Sequence, residues 1–288
     1  MHEWYLNCME SLQDVCDTAP EGTIIHLPIG TFRQKLTIRT PNLTLIGAGA
    51  DKTRIVFDDC ARKYDVVGRP LGTFRSFTVA VTAAHVAMRD LTIENDAGAP
   101  QQNGQQVALS VYGDAFEMIR CALISTQDTL FLGPLPPDLR LRYRDLLPES
   151  LRRSDPLSSS FTDCTIAGSV DFIFGGGDAA FNRCILRSVA DGHSIGYVAA
   201  PSHALGRTQG FLFDHCVFEC GADVLPNSVF LARPWRDHGL VTIIDCAYDT
   251  HIRPEGFDPW GTTNRDQTAR FFESPAIPSR VPWCRLPE

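Results

Sequence analysis

Five cysteines share one local frame: MIRCALIS (Cys121), FTDCTIAG (Cys164), FNRCILRS (Cys184), FDHCVFEC (Cys216) and IIDCAYDT (Cys246). Each comes after a polar residue and has an apolar residue two places on, which is the alternation of a strand. NLTLIGAG at 42–49 and VAMRDLTIEN at 86–95 fit the same frame with leucine in place of cysteine. The intervals 164→184, 184→216 and 216→246 are 20, 32 and 30 residues. A short β-unit recurring at that period cannot bury its apolar side alone, so copies stack into a solenoid. Short apolar strands, turn residues between them and few helical patterns favour an all-β, single-stranded parallel β-helix over a leucine-rich horseshoe.

The ends and one interruption depart from the repeat. At about 8–18, Leu6, Met9, Leu12, Val15 and Cys16 line one face of an expected helix, which would cap the first coil and blunt its open edge. The tail from about 264 is proline-rich and is expected to be irregular and to cover the other end. The segment GPLPPDLRLRYRDLLPESLRRSDP, 133–156, lies off the repeat and reads as an inserted loop. The whole chain, 1–288, is expected to be one domain, and 44% hydrophobic residues are ample for its core.

Composition narrows the class of partner. A net charge of −8 gives no overall attraction to nucleic acid or to an anionic membrane. No run of 18 apolar residues exists, so no spanning helix is expected. The N-terminus MHEWYLNCMESLQDVCDTAPEG lacks a basic stretch leading into an apolar one, so no signal peptide is seen. A cytoplasmic location with reduced thiols is expected, or a secreted one if this N-terminus is already processed. The repeated cysteines read as small, soft core residues. Cys216 and Cys220 are too isolated for a zinc site, and the histidines show no HxH or HExxH, so no metal is expected.

Coil stacking also gathers polar residues. Equivalent positions on successive coils lie about 4.8 Å apart. Gln105 precedes Gln127 by 22 residues, about one coil. Asp171 lies 43 beyond Asp128, again about one coil once the insertion is removed, and Arg233 lies 62 beyond Asp171, about two coils. These five residues are expected on one face. Neighbouring carboxylates resist ionising together, and an arginine beside one keeps that one charged, giving an ionised nucleophile and a protonated acid. Two glutamine amides suit a developing oxyanion. Acyl transfer at an ester fits this set, and so does glycoside hydrolysis, which also uses two carboxylates.

GQQVALSVYGDAFEMIRCALISTQDTLF, GSVDFIFGGG and FLARPW resemble the signature blocks of pectin methylesterases. LPIGTFRQKLTI, LTLIGAGADKTRI, LGTFRSFTVAV, LTIENDAG, GYVAAPS and HIRPEGF extend the likeness, in order, over roughly residues 22–260. The resemblance implies a right-handed parallel β-helix, hydrolysis of galacturonate methyl esters to methanol and free carboxylate, and no metal or organic cofactor. Asp171 matches the nucleophile and Asp128 the general acid/base. Gln105 and Gln127 match the oxyanion glutamines. Arg233 matches the arginine that binds the nucleophile's carboxylate, and Trp235 and Phe174 the aromatics of the sugar cleft. The implied partner is methyl-esterified galacturonan or oligogalacturonide, with no nucleic acid or membrane partner and a monomer expected. Gln106 and Ala232 stand where the family usually has alanine and glycine. The insertion carries Arg140, Arg142, Arg144, Arg152 and Arg153, nearly balanced by Asp138, Asp145, Glu149 and Asp155; an overhang there would limit access to short chains.

Other readings make different demands. GHSIG, 192–196, fits a nucleophile elbow with Ser194, but the residues after it, YVAAPSHALG, lack the helical pattern that an elbow needs. A lyase on the same fold would want an acidic calcium cluster and a basic proton abstractor. A non-catalytic carbohydrate-binding solenoid would not need the five polar residues intact. An esterase of the same family acting on another ester remains compatible with the fold.

Overall fold

The computed structural model describes residues 2–7 and 10–287. Three parallel sheets run the length of the chain. The first orders ten strands from His2–Tyr5 to Arg270–Ser274, the second eight from Gly30–Arg33 to Ala247–Tyr248, and the third seven from Leu36–Ile38 to Val229–Ala232. Successive strands of the chain belong to different sheets, and each pairs in parallel with its equivalents one coil before and after. This is a parallel β-helix.

The cysteine frame marks the corner between the first two sheets. The polar residue before each repeated position, Asp90, Arg120, Asp163, Arg183, His215 or Asp245, has a left-handed backbone with φ between 49° and 56°. Such a conformation costs a non-glycine residue about 1–2 kcal/mol. In return it turns the chain within one residue, so that Leu91, Cys121, Cys164, Cys184 and Cys216 point inward and are fully buried. The corner residues pair along the solenoid axis: Arg120 with Asp90 at 2.6 Å and Arg183 with Asp163 at 2.9 Å. All nine described cysteines are free thiols.

Inside the first sheet, equivalent positions stack. Met118 aligns with Phe161, Phe161 with Phe181, and Phe181 with Phe213. The ring centres of Phe161 and Phe181 lie 4.9 Å apart, and those of Phe181 and Phe213 4.8 Å apart, in nearly parallel planes. Burying each such ring contributes roughly 1.5–3 kcal/mol. Closely spaced coils also exclude side chains at some corners: a Cβ on Gly175, at φ 130°, would meet the Leu132 carbonyl oxygen at 1.9 Å.

The ends differ from expectation in detail. The helix spans Leu12–Thr18, with the Ser11 hydroxyl accepting from the Asp14 N–H at its start. The expected start at 8 and the Met9 position lie outside the described residues. Leu6 precedes the helix, after the strand His2–Tyr5, which itself extends the first sheet by pairing with Thr23–His26. The helix packs against Leu36–Ile38, the edge strand of the third sheet. Gln13 makes two bonds there, accepting from the Thr37 N–H at 2.8 Å and donating to the Thr37 carbonyl at 3.0 Å. The tail is not wholly irregular, because Arg270–Ser274 adds a strand beside Leu240–Ile244. Beyond it, Trp283 packs on Phe257 and Phe271. Among the described residues no helix is long and apolar enough to cross a membrane.

Candidate active site

Strands Leu130–Leu132 and Val170–Gly175 of the third sheet pair with Leu130 opposite Ile173. That offset of 43 makes Asp128 and Asp171 register neighbours, and the Asp128 N–H donates to the Val170 carbonyl at 3.1 Å. Both aspartates have left-handed backbones, at φ 64° and 49°. Asp171 also sits where the pairing with Gly196–Pro201 slips between Val170 and Ile173. A bulge of this kind re-aims a side chain that regular alternation would direct elsewhere.

Arg233 comes directly after the strand Val229–Ala232 and reaches over Gly196–Pro201 to Asp171. Its Nε donates to Oδ1 at 2.8 Å and its Nη2 to Oδ2 at 2.6 Å, a two-point clamp. The guanidinium carbon lies 3.7 Å from the Tyr197 ring centre and 4.1 Å from that of Trp260. Two ring faces thus hold the cation in its pairing geometry. Asp128 has no such partner: it is 8% exposed, and its carboxylate forms no hydrogen bond or ion pair among the described residues.

This asymmetry sets the charges. Burial pushes the Asp128 carboxyl well above the usual carboxylate range, and the Asp171 charge pushes it further, against a weaker pull from Arg233. Burial raises Asp171 as well, but there the Arg233 hydrogen bonds and charge oppose it. Of the two, Asp128 is therefore the better proton holder and Asp171 the better anion.

Both aspartates open into a cleft of about 470 Å³, also lined by Gln105, Gln127, Phe174 and Trp235. Phe174 and Trp235 meet edge to face with ring centres 5.8 Å apart. The glutamines reach the cleft by a route that coil counting does not give. Leu109 pairs with Leu130, an offset of 21, so the register partner of Gln127 is Gln106, whose N–H donates to the Gln127 carbonyl at 3.0 Å. Gln106 is buried and its amide donates to the Gly98 carbonyl, while Gln105, in the connection before the strand, lines the cleft. Arg233 is not among the lining side chains; its cation is taken up by Asp171 and the two rings.

Sequence reading overlooked the two rings, and of the expected overhang it gave the place but not the side chains that enter the cleft. Tyr197 lies within GYVAAPS, but its register partner is Phe230, and only the reach of the Arg233 side chain across the strand brings the ring and the cation together. Trp260 comes from an irregular segment with no repeat to locate it. The insertion supplies Asp138, Leu139, Arg142 and Tyr143 to the cleft lining. Its helix spans Pro137–Arg142, and Asp138 pairs with Arg236 at 2.8 Å. Leu139, Leu147 and Leu151 are buried beside Phe74, Phe131 and Phe174. Ser194 precedes the strand Gly196–Pro201, and the elbow's helix is absent there.

Residues 3–135 and 157–276 match the pectinesterase family model. This chain belongs to the pectinesterase family. Pectinesterase 31 of Arabidopsis thaliana is 29% identical over 294 residues, covering 96% of this chain and 83% of the relative. Pectin methylesterase PemA from Erwinia chrysanthemi aligns with a TM-score of 0.80 at 25% identity, over 99% of this chain and 92% of its own. A pectin methylesterase solved in complex with a hexasaccharide aligns with a TM-score of 0.77 at 26% identity, over 97% and 89% of the two chains. As a pectinesterase the chain is a carboxylic ester hydrolase. The pectinesterase match leaves out 136–156, the stretch that forms the roof.

Proposed function

We propose that this pectinesterase removes methyl esters from galacturonan or oligogalacturonide through an acyl-enzyme on Asp171. The Asp171 carboxylate attacks the ester carbonyl carbon. Gln105 and Gln127 amides donate to the oxyanion that develops on the carbonyl oxygen. As the C–O bond to the methoxy group breaks, protonated Asp128 gives its proton to the departing oxygen, and methanol leaves. A mixed anhydride joins Asp171 to the sugar acid. Asp128, now ionised, takes a proton from water; the water oxygen attacks the anhydride, and both acids return to their starting states. Arg233 keeps Asp171 ionised and oriented, and Trp235 and Phe174 provide an apolar wall for the sugar.

One observation carries the reading: two register-paired aspartates share a cleft, and only one of them is clamped by an arginine. The hexasaccharide complex of a similar pectin methylesterase supports a saccharide substrate. The chain is read as a single catalytic β-helix carrying an insertion at about 133–156. The test is methanol release from methyl-esterified oligogalacturonate with hydroxylamine present. An acyl-enzyme diverts product to the hydroxamate at an undiminished rate of methanol release. Methanol release with no hydroxamate at any hydroxylamine concentration would count against a covalent intermediate.

A further inference from the structure

The cleft contains one cation that nothing among the described residues neutralises. Arg233 is paired with Asp171 and Arg236 with Asp138. The insertion brings five arginines, and three have partners elsewhere: Arg144 pairs with Asp145, Arg153 pairs with Asp155, and Arg152 donates to the Leu147 carbonyl. Arg140, whose Nε is buried without a hydrogen-bond partner among the described residues, is not in the cleft lining. Arg142 lines the cleft, is exposed, and has no hydrogen bond or ion pair among the described residues.

Its position is not that of a loose loop. Leu139, three residues before it, is buried in the aromatic cluster behind the cleft. Tyr143, the next residue, meets Phe74 edge on with ring centres 5.2 Å apart. Asp138, at the start of the same helix, is tied to Arg236, the residue after Trp235 on the cleft wall. The helix is thus anchored on both sides of Arg142, and the guanidinium is presented to the cavity that also contains Asp128 and Asp171.

A galacturonate chain offers a partner of matching chemistry. Each sugar carries either a neutral methyl ester or a free carboxylate. A neutral ester gives an unpaired arginine little to bind, whereas a carboxylate accepts two charge-assisted hydrogen bonds from it. We infer that Arg142 is a specificity-determining residue: it binds the free carboxylate of a galacturonate next to the one being de-esterified. The inference rests on the reaction proposed above. It makes partly de-esterified oligogalacturonides the preferred substrate of a chain whose roof lies outside the family match.

The test compares two trigalacturonates, one methylated only on the central sugar and one methylated on all three. The parent enzyme should have the higher kcat/KM on the first, and 0.5 M salt should erase that preference. Arg142→Gln should lower the ratio of the two kcat/KM values about fivefold, mainly through KM, as expected for one solvent-facing ion pair. Arg142→Lys should recover part of the ratio. An unchanged ratio in Arg142→Gln, with both substrates still hydrolysed, overturns the assignment while leaving the reaction intact. Failure of the parent enzyme to release methanol from either substrate overturns the reaction and this inference with it.

Discussion

Arg233 and Asp171 are 62 residues apart and joined by two hydrogen bonds of 2.8 and 2.6 Å, across a strand that belongs to neither of them. The pair stays in place because Tyr197, from that intervening strand, and Trp260 close on the guanidinium. Its consequence is electrostatic: Asp171 has a counter-charge in direct contact, and Asp128 feels the same cation only weakly.

The pH profile should reflect that difference. Asp171 must be ionised to attack, so the rate falls as pH drops through the Asp171 titration. Asp128 must be protonated to release methanol, so the rate falls again as pH rises through its own, higher titration. A bell-shaped profile of kcat/KM is expected, its two limbs belonging to the coupled pair. In Arg233→Gln the charge that opposes burial at Asp171 is gone, so the acid limb moves to higher pH. An acid limb that stays put in that variant would contradict the assignment of charge.

Asp128 should cost the fold stability at neutral pH. Its folded-state titration lies above its unfolded one, so its contribution is fully present below about pH 4 and is lost as pH rises through the folded value. Asp128→Asn should therefore raise the unfolding temperature at pH 7 by roughly 2–4 °C, with no gain near pH 3. Melting curves at the two pH values read this directly, and a gain that is equal at both would rule the explanation out.

Tyr197 is a positioning residue for Arg233. Tyr197→Leu removes one of the two ring faces, an interaction worth about 0.5–2 kcal/mol. A kcat lower by about 2- to 30-fold is expected, with little change in KM and an acid limb displaced upward. A change confined to KM would mean that the ring serves the substrate instead.

The phenylalanine stack should be a principal support of the middle coils. Phe181→Ala opens a cavity between Phe161 and Phe213 and should cost about 3–5 kcal/mol in denaturant unfolding. A loss below 1 kcal/mol would mean that the coils collapse onto the space.

The repeat was legible because each coil writes the same corner: a polar residue in the left-handed region, then a small buried one. Asp128 and Asp171 were legible for the same reason, since 43 residues is one coil plus an insertion. Gln105 shows the limit of counting. Its register partner position belongs to a different residue from the one the interval suggests, and only the irregular connection before the strand returns it to the cleft. The strand Arg270–Ser274 was hidden in a proline-rich tail whose pairing depends on a strand about 30 residues earlier. Trp260 and the Asp138–Arg236 pair could not be read at all, because contacts between irregular segments obey no period.

The most direct measurement is methanol release by Asp171→Ala on a methyl-esterified oligogalacturonate, alongside a melting curve to establish that the variant is folded. The expected result is a kcat lower by roughly a thousandfold or more in a folded protein. A folded Asp171→Ala enzyme working near the parent rate would contradict the account.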